Sequence, residues 1–140
     1  MGSRVYMGQC LCGAVRYEVR GELYDVHACH CGQCVRQSGH FVVGAGAERE
    51  EFHILADETL KWYQSSDFAR RGFCSACGSA LFWDDGESRM GINAGSLDQP
   101  TGLSLAYHIF VDDKPDYYEI ADDLPKFAGL DKPFETSSGF

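Results

Sequence analysis

The sequence predicts a mostly β fold, built from short antiparallel sheets with few or no long helices. Glycine accounts for 16 of the 140 residues, above the average of about 7%, and glycines allow the tight turns that join short strands. Several short segments alternate apolar and polar residues, whereas no long segment has helical periodicity. Seven cysteines fall in three close groups, which indicates a domain that contains bound metal.

The length and composition indicate one domain over residues 1–140, with a core at about 8–127 and a C-terminal tail at 128–140. A chain of 140 residues can enclose one hydrophobic core. No segment approaches the ~20 apolar residues that cross a bilayer, and residues 1–9 lack the apolar part of a secretory signal. We therefore expect a cytoplasmic protein with no membrane partner.

The acidic charge of the chain limits the partners that it can bind. The net charge of -9 argues against nucleic acid as a partner, because phosphate binding requires a basic surface. The sequence leaves the oligomeric state open, and a homo-oligomer is compatible with it.

The strands are expected to be short and to follow one another closely. Residues 15–20 alternate apolar Val15, Tyr17 and Val19 with charged residues, which predicts a half-buried strand. A helical turn is expected at 34–37, and from Pro125 the tail is expected to pack as a loop or to fray. The other predicted elements are a strand at 41–46, strands at 51–55 and 59–63 across a turn at 57–58, a segment at 68–73 leading into the last cysteines, a hairpin of 81–83 with 89–94, a strand at 105–111 and a turn at 112–115.

The first and last cysteine groups are predicted to share one metal ion. The segments 10–13 and 74–78 both end in Cys-Gly and both precede a strand-like segment. Glycine after the second cysteine permits a tight turn, often with positive φ, that brings backbone amides to the sulfurs. Disulfides fit poorly, since the number of cysteines is odd and the i, i+2 pairs would close strained rings. Four thiolates complete a structural zinc site, which we assign to Cys10, Cys12, Cys74 and Cys77.

Cys29, Cys31 and Cys34 are predicted to bind a second zinc ion. Three protein ligands and one open position are typical of a catalytic zinc, and water or a substrate thiol can take the open position. Three alternatives stay open: His27 or His30 closes the site, the trio is a redox-active or merely buried set, or a fourth ligand comes from elsewhere. An iron–sulfur cluster would need a fourth thiolate.

Several other side chains are candidates for the chemistry. His30 lies inside the trio and could pass a proton or brace a ligand, although a packed histidine is the alternative. Ser38, Gln64 and Asn93 are candidates for substrate contact, with ordinary turn and strand roles as the alternative. An anionic ligand would need local positive charge in this acidic chain, and the nearest basic residues in sequence are Arg36, Arg70 and Arg71.

The order of these motifs resembles the glutathione-dependent formaldehyde-activating enzyme (CENP-V/GFA) family. The motifs are Cys-x-Cys-Gly, Cys-His-Cys-x-x-Cys and Phe-Cys-x-x-Cys-Gly, and the segments 91–98, 108–111 and 114–119 add to the likeness, which covers about 8–127. The resemblance implies a GFA-like β-tent fold in two layers. It also implies a structural zinc on Cys10, Cys12, Cys74 and Cys77, and a second zinc on Cys29, Cys31 and Cys34, beside which glutathione binds.

The resemblance also implies an activity. Glutathione would be joined to formaldehyde as S-(hydroxymethyl)glutathione, in a carbon–sulfur lyase type of reaction. Two non-catalytic functions stay open: a thiol-sensing or metal-sensing module, and a protein-interaction domain in which zinc only holds the fold.

Overall fold

The protein is described here by a computed structural model that covers residues 4–130. These residues form ten strands, one α-helix and three short 3₁₀ helices. The greater part of the predicted tail, residues 131–140, lies outside the described residues. The bounds are β1 Val5–Gln9, β2 Arg16–Arg20, β3 Leu23–Cys29, α1 Gly32–Ser38, β4 Val42–Glu48, β5 Phe52–Ala56, β6 Leu60–Gln64, β7 Arg70–Cys74, β8 Ala80–Asp84, β9 Arg89–Asn93 and β10 Tyr107–Ile109, with 3₁₀ helices at Arg49–Glu51, Ala94–Ser96 and Val111–Asp113.

The strands form two sheets. One has three strands in the order β1-β2-β5, and the other has seven in the order β10-β3-β4-β9-β8-β7-β6. Of the strand pairs in the two sheets, all but one are antiparallel. The predicted fold class, a mostly β domain of short sheets with little helix, is confirmed.

The three-stranded sheet is built around the alternating strand β2. Tyr17 and Val19 are fully buried, while Arg16 and Arg20 are exposed. β1 pairs with one edge of β2 and β5 with the other. A Cβ added to Gly8 of β1 would lie 2.3 Å from the Tyr17 ring. The tyrosine therefore fills space that only a glycine leaves free.

The main hydrophobic core lies between the two sheets. The Tyr17 ring packs edge-on against the Phe82 ring of β8, with 5.0 Å between the ring centroids. The Phe52 ring of β5 also packs edge-on against Phe82, with 5.1 Å between the centroids. Aromatic rings favour such edge-to-face contacts. Ala45 and Ala47 of β4 are also buried in this core, so their small side chains let the two sheets approach.

The predicted helical turn is a complete short helix, α1. Cys31 caps its first turn, and the Cys31 sulfur accepts a hydrogen bond from the Cys34 amide at 3.4 Å. Gly39 ends the helix with φ 94°, a conformation that glycine adopts without strain. Within residues 4–130 no helix has both the length and the apolar character required to span a bilayer.

The long strand β3 and the final strand β10 differ from the sequence-based expectations. β3 was not predicted, because it is buried on both faces toward its end and Asp25 interrupts it with φ 54°, so period-2 alternation is lost. β10 is shorter than the predicted strand at 105–111, and it pairs parallel with β3 rather than antiparallel. β1 was also missed.

The predicted strands around residues 57–58 are present as β5 and β6, but they do not pair with each other. β5 joins the three-stranded sheet and β6 is an edge of the seven-stranded sheet. The turn therefore carries the chain from one layer to the other. The hairpin of β8 and β9 is confirmed, with Phe82 opposite Ile92.

Asp84, at the end of β8, is a buried charge with strong partners. It is 5% exposed, and it accepts hydrogen bonds from Arg49 at 2.7 Å, Arg70 at 3.1 Å and the Gly86 amide at 2.9 Å. Burial alone would raise the pKa of Asp84, but the Gly86 amide and the two guanidinium groups lower it below its ordinary value.

We expect Asp84→Asn to lower the free energy of unfolding at pH 7 by about 1–3 kcal/mol, because two guanidinium groups lose their partner. The native carboxylate contributes fully above the pKa of the unfolded chain, about 3.9, and its contribution is lost as the pH falls through the lower folded value. The difference between variant and wild type should therefore shrink below about pH 4. Urea unfolding at pH 7 and in acid measures this, with the exposed Asp123→Asn as control. Equal stabilities at pH 7 would contradict the assignment.

Candidate metal centres and adjoining cavities

The four cysteines assigned to the first site come together at one end of the two sheets. Their sulfurs all lie within 4.8 Å of one another. The Cys12 sulfur is 3.7 Å from that of Cys10 and 3.8 Å from that of Cys74. A tetrahedral ion with metal–sulfur bonds of ~2.3 Å has sulfur–sulfur edges of about 3.8 Å. The donor set therefore fits zinc, and all of its cysteines, including Cys77, are free thiols.

Two glycine turns position these sulfurs, as the Cys-Gly motifs predicted. Gly13 has φ 82° and Gly78 has φ 83°. The Gly13 amide donates to the Cys10 carbonyl at 3.1 Å, and the Val15 amide donates to the Cys10 sulfur at 3.3 Å. A backbone amide thus forms a hydrogen bond with a sulfur of the cluster, as the glycine turns were expected to allow.

The trio forms a second, separate cluster. Cys29 ends β3, Cys31 caps α1 and Cys34 lies in its first turn, and their sulfurs lie within 4.8 Å of one another. All three are at least nine-tenths buried. Among residues 4–130, no histidine or carboxylate places a ligand atom within this group, so neither His27 nor His30 closes it. Three buried sulfurs with room for a fourth ligand fit a zinc ion with one open position.

The three sulfurs cannot all be charged without compensation. A hydrogen bond to the Cys31 sulfur raises the pKa of Cys29 strongly, and the same contact with Cys29 lowers the pKa of Cys31 to about 2. Protons are therefore shared within the cluster. The two guanidinium Nη atoms of Arg71 both lie 3.8 Å from the Cys34 sulfur. A divalent cation, together with Arg71, would balance three thiolates.

A small cavity of about 30 Å³ adjoins this second cluster. Cys29 and Cys34 form one side of it, and Arg71 and Trp83 another. Arg71 is 6% exposed, its Nη2 donates to the Gln33 side-chain oxygen at 3.2 Å, and its Nε has no hydrogen-bond partner among the described residues. We call this space the small cavity.

A larger cavity of about 820 Å³ lies between the first cluster, the end of α1 and the segment after β9. Ser38 and Asn93, both predicted to contact substrate, form part of its wall. Asn93 and Val42 also line the small cavity. The two cavities are therefore neighbours. Among residues 4–130, Asp98 is the only charged residue that lines the larger cavity, so the hydrogen-bond donors that a ligand would meet there are neutral.

Two other predicted contact residues lie elsewhere. Arg36 is exposed in the last turn of α1 and lines neither cavity. The Gln64 amide donates to the Ser66 and Ala69 carbonyls at 2.9 and 3.2 Å, so it braces the turn between β6 and β7.

His30 is the centre of a buried network that the sequence did not reveal. Its Nδ1 lies 2.6 Å from the Tyr118 hydroxyl and its Nε2 lies 2.9 Å from His108 Nδ1. The other nitrogen of His108 lies 2.9 Å from an Asp122 carboxylate oxygen. Burial lowers the pKa of His30 to about 4. The neutral ring is held between the trio and the segment after β10, and it lines neither cavity.

The left-handed turn at Gly78 allows a direct test of the first site. A Cβ at Gly78 would meet no atom within 4 Å, so alanine there introduces only backbone strain, worth about 1–2 kcal/mol. We expect Gly78→Ala to lower the free energy of unfolding by that amount in urea. Gly95→Ala is the matched control, because Gly95 has equal space and no positive φ. Equal effects in the two variants would show that the turn is not required.

Comparisons with known proteins identify the family of the chain. The family model described as glutathione-dependent formaldehyde-activating enzyme matches residues 5–113. An uncharacterized lyase of Schizosaccharomyces pombe is 30% identical over 125 residues, which cover 87% of this chain and 90% of the relative. A Halomonas elongata protein named "Putative glutathione-dependent formaldehyde-activating enzyme" is 27% identical over 124 residues, which cover 81% of this chain and 79% of that relative. The chain therefore belongs to the glutathione-dependent formaldehyde-activating enzyme family.

Proposed function

We propose that the chain is a zinc enzyme that condenses glutathione with formaldehyde, or with a related aldehyde, to S-(hydroxymethyl)glutathione. The observation that carries the proposal is the second cluster, which offers three buried sulfurs and no fourth protein ligand within residues 4–130. A thiol substrate is a natural fourth ligand for such a site. The family of the chain supports the same reaction.

The first cluster would hold a structural zinc ion. Cys10 follows the three-stranded sheet, whereas Cys74 ends a strand of the seven-stranded sheet. An ion bound to both would fix the two layers at one end. Its four sulfurs leave no position for a substrate, so we give this site no part in the chemistry.

The second cluster would be the reaction centre. When bound there, zinc would favour the ionised form of an entering thiol. The protein's own contribution is positioning: Cys29, Cys31 and Cys34 fix the place where the substrate sulfur comes to rest. Holding the two reactants together would supply much of the rate acceleration, because this addition also proceeds without an enzyme.

We propose that glutathione occupies the larger cavity. Ser38 and Asn93 line it, and Asn93 also reaches the small cavity beside the second cluster. The carboxylates of glutathione would then be held by neutral donors, because no lysine or arginine of the described part of the chain lines this cavity. Arg36 and Gln64 border neither cavity and have no part in the proposal.

His30 is proposed as a positioning residue. It stands between two cluster cysteines in sequence, and its ring nitrogens are hydrogen-bonded to His108 of β10 and to Tyr118 of the segment after β10. A histidine that is held in this way keeps its neighbours in place. The acid–base role that the sequence suggested is not needed for this proposal.

Two serine substitutions separate the two metal sites. We expect wild type to bind two zinc ions per chain, and both Cys34→Ser and Cys74→Ser to bind one. Cys74→Ser should also lose cooperative thermal unfolding, because binding to a structural zinc site contributes to folding directly. Cys34→Ser should keep it. The replaced thiols are equally buried, at 1% and 0% exposure, so the pair is matched.

Zinc content by elemental analysis and thermal melts by circular dichroism measure these effects. A metal-free protein that melts as cooperatively as the zinc-loaded one would contradict the proposal.

The activity itself needs a rate comparison. We expect zinc-loaded wild type to accelerate formation of S-(hydroxymethyl)glutathione by a modest factor, about 10- to 100-fold over the uncatalysed addition. NMR exchange between free and adducted glutathione measures the rate. Cys34→Ser should fall to the uncatalysed rate. A wild-type rate equal to the uncatalysed one would favour a thiol-sensing or protein-interaction module that does not turn over.

A further inference from the structure

The small cavity exists because Gly44 interrupts a crowded sheet face. His27, Gly44 and Asn93 are cross-strand neighbours on β3, β4 and β9. Arg71, Trp83 and Gly91 are neighbours in the same way on β7, β8 and β9. Cross-strand neighbours point to the same side of a sheet, so these two rows share one face.

Gly44 carries no side chain, and its larger neighbours do not fill the gap. At Gly91, by contrast, Trp83 already occupies the space, and a Cβ there would meet Trp83 atoms at 3.0 and 3.1 Å. A Cβ at Gly44 would meet its nearest atoms, in His27 and Ile92, at 3.7 Å, an ordinary contact distance. The space that remains is about 30 Å³. One water needs on the order of 10–15 Å³, so the space suits a molecule of two or three non-hydrogen atoms.

Arg71 gives this space a specific chemistry. Its two Nη atoms are directed to Cys34 and Gln33, which leaves the Nε–H as the donor without a partner in the described part of the chain. A buried donor of this kind costs free energy unless an acceptor reaches it. An acceptor that enters the small cavity would lie beside the sulfurs of Cys29 and Cys34.

We propose that the small cavity is the aldehyde site, in which the Arg71 Nε–H donates to the carbonyl oxygen and Gly44 leaves room for a one-carbon substrate. The inference rests on the proposed function, since it names where the second substrate of that reaction binds. The thiol would approach from the larger cavity past Asn93, which lines both spaces.

The reaction then balances with no further reagent. The thiol loses its proton to solvent, and its sulfur electron pair forms the new carbon–sulfur bond. The π pair of the carbonyl moves onto oxygen, where Arg71 stabilises the developing negative charge. That oxygen takes one proton from solvent, so the product is the neutral hydroxymethyl thioether.

Binding can be measured apart from turnover with formamide, which carries a carbonyl oxygen on three non-hydrogen atoms and does not add thiols. We expect formamide to shift the Arg71 Nε–H resonance of zinc-loaded, ¹⁵N-labelled protein in a saturable way. Gly44→Ala should weaken this response at least tenfold, because the added methyl group occupies the cavity. An unshifted resonance in wild type would overturn the proposal.

Gly46→Ala is the matched control. Gly46 lies two residues further along the same face of β4, outside the small cavity, and its Cβ would meet Tyr24 at an acceptable 3.5 Å. This variant should bind formamide as wild type does. Equal responses in Gly44→Ala and Gly46→Ala would also overturn the proposal.

Steady-state kinetics provide a second test, independent of the formamide-binding measurement. Gly44→Ala should lower kcat/KM for formaldehyde at least tenfold and leave KM for glutathione unchanged, while Gly46→Ala behaves as wild type. Arg71→Lys keeps a positive charge near Cys34 but removes the Nε–H donor. We expect it to lower the same kcat/KM by about 10²-fold with two zinc ions retained.

The binding and kinetic measurements together distinguish a failure of this inference from a failure of the proposed function. If wild type does not turn over but formamide binds as expected, the proposed function fails and the small cavity stands only as a carbonyl-binding site. If Gly44→Ala turns over as fast as Gly46→Ala, the cavity site fails and the proposed function stands.

Discussion

Four cysteine sulfurs from distant parts of the sequence converge at one end of the two sheets, and the junction of the sheets at that end depends on this convergence. Their spacing of 3.7 and 3.8 Å is that of a tetrahedron around a zinc-sized ion, and it is too crowded for four free thiolates. Two turns with left-handed glycines create it. An ion bound by these sulfurs would join the layer that carries Tyr17 to the layer that carries the second cluster. The aromatic contacts between the sheets add packing to this junction.

The seven-stranded sheet has two unlike faces. Ala45 and Ala47 point into the core, so the sheet is stable on that side. Gly44 lies on the opposite face and leaves space beside Cys29 and Cys34. The small residues of β4 therefore allow close packing on one face of the sheet and leave the small cavity on the other face. The acidity of the chain as a whole, -9, is offset locally by the buried guanidinium of Arg71 next to the sulfurs.

Local patterns in the sequence were sufficient for the fold class and for the grouping of the cysteines. The Cys-Gly turns and the alternation around Tyr17 act over a few residues, so their signals survive in the linear chain. β3 was missed because burial on both faces removes alternation. The contact of Arg71 with Cys34 and the His30–His108 pair join residues 37 and 78 positions apart. Such pairings arise from strand register, which no local pattern encodes. Arg36 and Gln64, chosen for their type and position in sequence, consequently lie away from the cavities.

The central claim is that the second cluster holds an ion with one vacant position, which a thiol substrate can take. Zinc X-ray absorption measures the number of sulfur ligands directly. With four sulfurs at one site and three at the other, the mean should be about 3.5 per zinc, and it should rise to about 4 when glutathione is added. A mean of 4 before glutathione, or a value that does not change after it, would contradict the account.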